Sequence, residues 1–446
     1  MSVAGFVSTF TGTALSSRTR CDSSALSPAK TSKRMHMSIS KREARRSIIK
    51  SDNFNRSGFK ESREEAKGLM NREFTSDLVK ELLAHSNIVS RGKVTVKLAK
   101  AYGFCWGVER AIAIAYEARA KFPDRRIWIT NEIIHNPIVN QRMKEIGIYS
   151  VPQEGLQKDL SGIEQGDVVV LPAFGATLEE MKYINDLGVE IVDTTCPWVS
   201  KVWHALDRHQ KKECTSIIHG KWKHEETIAT ASFAEKYLVV LNMDEAEYVA
   251  NYILNGGDKA EFLAKFENAK SEGFDPDTDL NAVGVANQTT MLKSETTAVA
   301  KLFEKVMLRK FGPTDLNSHF VAYDTICNAT QERQDAMYDL LAEKESLDLM
   351  LVVGGFNSSN TSHLQEIAEH AGVPSFWVDR PERVGPGNRI YCRSASGEER
   401  LVEDWLPERE ITVGLTSGAS TPDNVVEDVL ERVFMISKLA EAKVLA

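Results

Sequence analysis

The sequence predicts an α/β protein built from three similar lobes, each with a parallel β-sheet covered by helices. Nearly continuous apolar strands alternate with helical segments along the chain, which is the pattern of parallel sheets buried on both faces. In addition, a strand, a cysteine and a helix follow one another three times. The chain has 446 residues, 42% hydrophobic and 26% charged, which suits a globular protein with several cores. No stretch of the sequence is apolar for long enough to predict a membrane span.

The beginning of the chain differs in composition from the rest. Residues 1–50 carry ten Lys and Arg but only Asp22 and Glu43, a charge of +8 that leaves −16 for the remainder. A basic, Ser-rich, acid-poor segment without the apolar core of a secretory signal is typical of an organelle transit peptide. We therefore expect a transit peptide or disordered leader at 1–60, an extension at 61–93 and a compact body starting near Val94. A basic arm that contacts nucleic acid or a membrane surface is the alternative, which nothing downstream supports.

Three of the six cysteines share one local setting. Cys105, Cys196 and Cys327 each follow a strand and precede a helix, and the last two share the sequence Asp-Thr-X-Cys. A thiol at a helix N-terminus is expected to have a lowered pKa, which favours the thiolate that binds metal. Three such positions could converge on one metal centre without an obvious fourth ligand. The alternative is that each is a small buried apolar residue, as free cysteines often are.

Each cysteine unit is followed by two further strand, loop and helix units, which gives nine units in three sets. We divide the body into lobe 1 at 94–188, lobe 2 at 189–318 with a charged insertion at about 251–279, and lobe 3 at 319–436. Residues 437–446 are expected to be a tail. Ligands of parallel α/β sheets bind beyond the carboxyl ends of the strands, so all nine loops are expected on the functional side.

The loops at these strand ends are rich in groups that bind anions. Each hydroxyl alone is an ordinary helix N-cap, but together with the free helix N–H groups they suit a phosphate or diphosphate. No Walker A loop or GxGxxG fingerprint follows a strand, which disfavours a nucleotide enzyme. Glu226 is either a proton carrier or a solvated residue at a helix start. The candidate ligand-binding residues are His135, His224, Thr289, Thr290, Ser358, Ser359, Asn360 and the hydroxyl-rich loop 417–421.

Six motifs resemble the family of 4-hydroxy-3-methylbut-2-enyl diphosphate reductases, which catalyse the last step of the methylerythritol phosphate route to isoprenoid precursors. The resemblance covers about residues 94–436. The motifs are Gly103-Phe104-Cys105-Trp106-Gly107-Val108, Ile134-His135-Asn136-Pro137, Asp193-Thr194-Thr195-Cys196-Pro197, Gln288-Thr289-Thr290, Asn357-Ser358-Ser359-Asn360 and Gly418-Ala419-Ser420.

This resemblance implies a cloverleaf of three lobes around a central 4Fe-4S cluster that is bound by Cys105, Cys196 and Cys327 and leaves one iron open. It implies reductive dehydration of (E)-4-hydroxy-3-methylbut-2-enyl diphosphate to isopentenyl and dimethylallyl diphosphates, with loss of water. Glu226 would supply the proton and Thr289 would contact the substrate hydroxyl. The residues implied to bind substrate are His135, His224, Thr290, Ser358, Ser359, Asn360 and Ser420.

One departure from the family concerns lobe 1. Many bacterial members have His-Gly where this chain has Phe174-Gly175, so a diphosphate contact is absent or replaced. Phe174, the region before Val94 and the segment Trp128-Ile129-Thr130-Asn131-Glu132-Ile133-Ile134-His135 resemble the plant and cyanobacterial branch. Together with the leader, this implies the plastid, specifically the chloroplast stroma, with ferredoxin as electron donor. A homodimer is a further expectation, and no nucleic acid partner is expected.

Two other functions remain open at this point. The first is a plastid zinc-binding or scaffold protein in which the three cysteines hold zinc with a fourth ligand such as His224. The second is an iron-sulfur reductase or dehydratase that acts on a different phosphorylated alcohol. The bound metal separates the first from an iron-sulfur enzyme, and turnover of the proposed substrate separates the second.

Overall fold

The computed structural model describes residues 40–445. The predicted leader up to residue 39 lies outside the described residues. Within them, no helix combines the length and the apolar character that crossing a membrane requires.

The helices and strands follow one another in four stretches of chain. The first contains α1 (Lys41–Ile49), β1 (Phe54–Asn55), α2 (Arg63–Phe74), α3 (Asp77–Ala84), β2 (Ile88–Arg91) and β3 (Val94–Leu98). The second contains α4 (Trp106–Lys121), β4 (Ile127–Ile129), α5 (Pro137–Glu145), β5 (Ile148–Ser150), β6 (Gln153–Glu154), β7 (Gln157–Lys158), β8 (Val168–Leu171), α6 (Leu178–Asp186) and β9 (Glu190–Asp193). The third contains α7 (Pro197–Lys211), β10 (Thr215–His219), α8 (Glu225–Ser232), β11 (Tyr237–Val240), α9 (Met243–Asn255), α10 (Lys259–Lys265), α11 (Pro276–Asp279), β12 (Val283–Asn287), α12 (Lys293–His319) and β13 (Phe320–Ala322). The fourth contains α13 (Asn328–Ala342), β14 (Leu349–Val353), α14 (Ser359–His370), β15 (Ser375–Val378), β16 (Val384–Gly385), β17 (Arg389–Arg393), β18 (Glu399–Glu403), β19 (Ile411–Ser417) and α15 (Asp423–Leu445).

Three main sheets confirm the predicted three-lobed α/β architecture. The first sheet has the order β1-β9-β8-β4-β5 and the second has the order β11-β10-β12-β13, and both are parallel throughout. Every residue of β8, β10, β12 and β14 is buried, because helices cover both sheet faces. The third sheet is mixed rather than parallel. Its parallel part β15-β14-β19-β3 is flanked by antiparallel β2 on one side and by antiparallel β16, β17 and β18 on the other.

The strand that precedes each cysteine belongs to the sheet of the preceding lobe, which shifts the predicted boundaries. We placed β9 at the start of lobe 2, but it pairs with β8 in the first sheet. In the same way β13 pairs with β12 in the second sheet, and β3 pairs with β19 and so closes the third sheet. Apolar patterning identifies a strand but not the sheet that it joins, and this is why the boundaries at 94, 189 and 319 fall one strand too early. Each of the three cysteines therefore lies where the chain crosses from one lobe to the next.

The compact body begins at Ser40, well before the predicted start near Val94. Ile48 of α1 is buried in the core of the first lobe, and β1 extends the first sheet beside β9. Helix α2 buries Phe74 against α4, while α3 buries Leu82 in the core of the third lobe. The high charge of residues 40–93 hid these buried positions, because α1 and α2 each bury only one narrow face.

Two other predicted irregular segments also belong to the folded body. Residues 437–445, predicted to be a tail, continue helix α15 to Leu445. The insertion at about 251–279 contains the end of α9 together with α10 and α11, and it places Phe262, Phe266 and Phe274 in the core of the second lobe. These aromatic residues anchor an otherwise charged segment.

Candidate active site

A single cavity of about 680 Å³ collects every residue that the sequence singles out. The residues that line it come from loops of all three lobes, as expected for the carboxyl ends of parallel strands. The predicted residues on its wall are Cys105, Cys196, Cys327, His135, His224, Glu226, Thr289, Thr290, Ser358, Ser359, Asn360 and Ser420.

The three cysteines occupy equivalent positions in the three lobe crossings. Each is the N-cap residue of the helix that enters the next lobe, namely α4, α7 or α13. Each also donates its backbone N–H to the loop after the neighbouring strand: Cys105 to Ala419 O at 3.0 Å, Cys196 to Ala173 O at 2.8 Å and Cys327 to Thr289 O at 3.3 Å. The repeated hydrogen bond fixes all three cysteines at the centre of the molecule.

A glycine makes room for two of the thiols. A Cβ atom added to Gly107 would lie 2.6 Å from the Cys196 Sγ and 3.9 Å from the Cys105 Sγ. Any side chain at this position would collide with Cys196. Gly107 therefore keeps the space beside these two thiols free.

The expected lowering of the thiol pKa values is wrong for two of the cysteines. Burial raises the pKa of Cys196 to about 11, and the charges of Cys105 and Glu226 raise it further. Burial likewise raises the pKa of Cys327 to about 12, against hydrogen bonds from Thr330 that lower it. The helix N-terminus is present in both cases, but the loss of solvation outweighs it.

The donor set fits a metal group that bridges lobes. Three cysteines face one cavity, and thiolates are the ligands of iron-sulfur clusters and of zinc. Loss of the thiol protons to a bound metal would remove the burial cost that raises their pKa values. Among residues 40–445, however, no three His, Cys, Asp or Glu side chains group closely enough to be assigned as ligands of a metal ion.

Glu226 and Thr289 form one hydrogen-bonded unit in the cavity wall. The Glu226 carboxylate accepts the Thr289 backbone N–H at 2.6 Å and the Thr289 hydroxyl at 2.9 Å. Glu226 is 3% exposed, and burial raises its pKa to about 7 even though both hydrogen bonds lower it. A carboxyl group with a pKa near neutrality can both hold and release a proton, which separates it from a solvated glutamate at a helix start.

His224 is a neutral hydrogen-bond donor that points its free nitrogen into buried space. Its Nδ1 accepts the backbone N–H of Glu226 at 3.1 Å, so the ring proton is assigned to Nε2. That Nε2 is buried and has no partner among the described residues. Burial lowers the pKa of His224 well below its usual value, and the nearby charges of His135, Lys221 and His363 lower it further.

His135 stands between Phe174 and His224. Its ring stacks on Phe174 with centroids 4.7 Å apart and planes 10° apart, and it meets the His224 ring edge to face at 5.0 Å. Its Nδ1 lies 3.1 Å from Glu132 Oε2, while its Nε2 is buried without a partner in the described chain. The Phe174 ring thus adds no polar group to the cavity, but it fixes the plane of the imidazole that does.

The hydroxyl and amide residues differ in how many partners they already have. Ser358 caps α14 by accepting the Thr361 N–H at 3.3 Å, and Ser420 donates to the His135 backbone oxygen at 3.2 Å. The Asn360 Oδ1 accepts the Ala419 N–H at 2.9 Å, which leaves its Nδ2 without a partner. The buried polar atoms of this wall that have no partner in residues 40–445 are His135 Nε2, His224 Nε2, Arg333 Nε, Ser359 Oγ and Asn360 Nδ2.

One buried charged residue of the wall is not part of any motif in the sequence. Arg333 of α13 is 4% exposed and lines the cavity, but its position six residues after Cys327 carries no motif. Trp106, which follows Cys105, is 62% exposed. Burial of a charged residue cannot be recognised from a helical segment of mixed polarity, so a single sequence offers no signal for Arg333.

The chain matches the model of the LytB protein family over residues 96–434. A protein from Gloeothece citriformis named 4-hydroxy-3-methylbut-2-enyl diphosphate reductase is 58% identical over 392 residues, which are 88% of this chain and 97% of that protein. A protein of the same name from Thermosynechococcus vestitus is 56% identical over 399 residues, which are 90% of this chain and 98% of that protein. Both alignments cover almost the whole of the relative.

A solved structure shares the fold at a lower level of sequence identity. The E-1-hydroxy-2-methyl-but-2-enyl-4-diphosphate reductase from Plasmodium falciparum superposes with a TM-score of 0.55 at 21% identity. The superposition covers 75% of this chain and 86% of that chain. The three-lobed arrangement is therefore one that an experimental structure also has.

Proposed function

The chain belongs to the LytB protein family, and on that premise we propose that it converts (E)-4-hydroxy-3-methylbut-2-enyl diphosphate to isopentenyl and dimethylallyl diphosphates. This is the last step of the methylerythritol phosphate route. The reaction adds two electrons and two protons to the substrate, breaks the bond between carbon and the hydroxyl oxygen, and releases water. The chain is accordingly an oxidoreductase of isoprenoid biosynthesis.

The observation that carries the assignment within this chain is the set of unpaired donors in the cavity. A buried donor without a partner costs about 1–3 kcal/mol, so several of them on one wall indicate a ligand that accepts several hydrogen bonds. A diphosphate has many acceptor oxygens and no apolar surface. We assign its binding to His135, His224, Ser359 and Asn360, with Ser358, Thr290 and Ser420 on the same wall.

Glu226 is the proposed proton donor. With a pKa of about 7 it keeps a transferable proton near neutral pH, and Thr289 is held against it by two hydrogen bonds. The Thr289 hydroxyl can pass a hydrogen bond between this carboxyl and a substrate hydroxyl. A proton delivered to the leaving oxygen turns hydroxide, which is a poor leaving group, into water.

The family is one of iron-sulfur enzymes, and we propose that Cys105, Cys196 and Cys327 hold a 4Fe-4S cluster with one open iron. When bound, such a cluster supplies the electrons and a Lewis-acidic metal beside the substrate. The protein contributes the three helix N-caps that place the thiols, and Gly107 keeps the space beside two of them open.

The test is an anaerobic assay with the cluster-loaded protein, the proposed substrate and a reduced viologen as electron source. We expect oxidation of the viologen that depends on substrate, with both products formed. Absence of turnover by protein that carries its full iron content would contradict the assignment. Turnover of a different phosphorylated alcohol but not of this substrate would favour the second alternative function.

We also propose ferredoxin as the physiological electron donor and the plastid stroma as the location. The support is the basic, Ser-rich composition of the leader together with relatives from cyanobacteria. Because the compact body starts at Ser40, the segment to be removed would end near residue 39 and not near residue 60. A fusion of residues 1–39 to a fluorescent protein should enter plastids, and a fusion that stays in the cytosol would contradict the proposal. The homodimer stays a prediction, for which sedimentation of the purified chain is the measurement.

A further inference from the structure

Arg333 is a buried arginine on the cavity wall, and it forms no ion pair with any other residue of the described range 40–445. Arg333 is 4% exposed, and the groups that accept its hydrogen bonds among residues 40–445 are all backbone carbonyl oxygens. An isolated buried cation is costly, so a residue of this kind is kept where its charge has a use. Its Nε is buried and has no partner in the described chain.

The guanidinium joins two of the three cysteine segments. One of its terminal nitrogens donates to the Tyr102 carbonyl at 3.0 Å and to the Gly103 carbonyl at 2.6 Å, both in the loop that leads to Cys105. The other terminal nitrogen donates to the Ala329 carbonyl at 3.0 Å, two residues after Cys327. A lysine has only one nitrogen and cannot span these carbonyls in the same way.

The charge of Arg333 acts on the same two cysteines. Burial lowers the pKa of Arg333, and the largest opposing contributions come from Cys105 and Cys327. The neighbouring carboxylate of Glu332 contributes in the same direction, after the two cysteines. A positive group next to metal-bound thiolates stabilises the more negative, reduced state of a cluster and so raises its reduction potential.

We propose that Arg333 is a positioning residue that fastens the Cys105 loop (residues 99–105) to the helix of Cys327 and supplies a permanent positive charge beside these two cysteines. The fastening is a property of the protein alone. The effect of the charge on reduction rests on the proposed function, because it requires a bound cluster.

The fastening is tested by amide hydrogen exchange on the metal-free protein. In the parent chain the Gly103 N–H donates to Ser417 Oγ at 2.8 Å and the Cys105 N–H donates to Ala419 O at 3.0 Å. We expect Arg333→Met and Arg333→Lys to accelerate exchange at these two amides about tenfold or more, with no change at the Cys196 amide, which is bonded to Ala173 O in another lobe. Exposed Arg309 of α12 provides the matched control, since Arg309→Met should leave all three amides unchanged. Unchanged exchange at Gly103 and Cys105 in both Arg333 variants would overturn the fastening role.

The charge is tested by redox titration of the cluster-loaded protein. Arg333→Met should shift the midpoint potential to more negative values, whereas Arg333→Lys, which keeps a cation, should stay closer to the parent. A parental midpoint in Arg333→Met would overturn the role of the charge. If Arg333→Met does not fold, the proposal is tested with Arg333→Lys alone. Faster amide exchange at Gly103 and Cys105 together with a midpoint potential near the parental one supports the proposal. Amide exchange at the parental rate overturns it. Failure of the parent chain to take up iron would count against the proposed function and leave the exchange result valid.

Discussion

The two ends of the cavity differ in the kind of partner that their side chains can bind. At one end, Cys196 and Cys327 are thiols whose pKa values burial raises to about 11 and about 12, so they stay protonated unless a metal takes the place of their protons. At the other end, His224 and Asn360 present buried N–H groups that need an acceptor. We propose that the first end binds a metal group and that the second end binds an anion.

This difference shows how an acidic protein can bind a highly charged substrate. Two of the donors at the anion end are neutral, since Asn360 carries no charge and burial holds the pKa of His224 well below its usual value. Neutral donors bind an anion through hydrogen bonds without the large cost of burying several cations. Glu226 lines the same cavity, and its charge acts on both Cys196 and Cys327.

The largest effect is expected at Glu226. Glu226→Gln keeps the size of the side chain but removes the transferable proton, so kcat should fall by about 10²- to 10⁴-fold while substrate affinity changes little. Steady-state kinetics with reduced viologen measures both constants. Glu225→Gln is the matched control, because Glu225 in the same helix pairs with Lys158 and does not line the cavity. A full kcat in the Glu226 variant would remove Glu226 from the proposed chemistry.

The anion end can be disrupted on its own by Asn360→Asp. The aspartate keeps the oxygen that accepts the Ala419 N–H, but it replaces an unpaired donor by a negatively charged oxygen. Loss of one charge-assisted hydrogen bond and the added repulsion should raise KM about 100-fold or more. Asn255→Asp on the exposed end of α9 makes the same change of charge away from the cavity and should leave KM unaltered. Equal KM values in the two variants would contradict the placement of the diphosphate.

The pH dependence of turnover tests the protonation state of Glu226. Because only the acid form of Glu226 donates a proton and its pKa is about 7, kcat/KM should fall as the pH rises above 7. The same raised pKa makes the folded state lose stability as the pH rises from 4.5 through 7, by no more than about 3 kcal/mol. The free energy of unfolding of Glu226→Gln should lack this contribution. If the free energy of unfolding of Glu226→Gln keeps the parental dependence on pH, that dependence comes from another group.

The smallest effect is expected at the wall behind His135. Phe174→Ala removes the ring that stacks on this imidazole at 4.7 Å, and such an aromatic pair contributes about 0.5–1.5 kcal/mol. We expect KM to rise about 3- to 10-fold with kcat nearly unchanged. Phe174→Tyr keeps the stacked ring and should remain near the parental KM. A parental KM in Phe174→Ala would show that the stack does not orient the imidazole.

Local patterns predict a large part of this molecule. The strand, cysteine and helix order around Cys105, Cys196 and Cys327 depends on neighbouring residues alone, and the N-cap positions of all three follow directly from it. The same holds for the hydroxyl residues at the start of α14. Since the strands are parallel, these local positions converge on one cavity without further information.

Properties that depend on tertiary contacts could not be predicted in this way. The pairing of β9 with β8 rather than with β10 is set by the path of the whole chain, and an apolar strand pattern is compatible with either sheet. The raised pKa of Cys327 and the burial of Arg333 result from packing between lobes. The folded state of α1 depends on a single buried face in a highly charged segment.

The most direct test of the account is the iron content and absorption spectrum of the anaerobically prepared protein. We predict a brown protein with the broad visible absorption of an iron-sulfur cluster, which is lost in Cys196→Ser and retained in Cys214→Ser, whose thiol lies outside the cavity. A colourless parent protein that binds zinc instead of iron, or a Cys196→Ser variant with the full iron content, would contradict it.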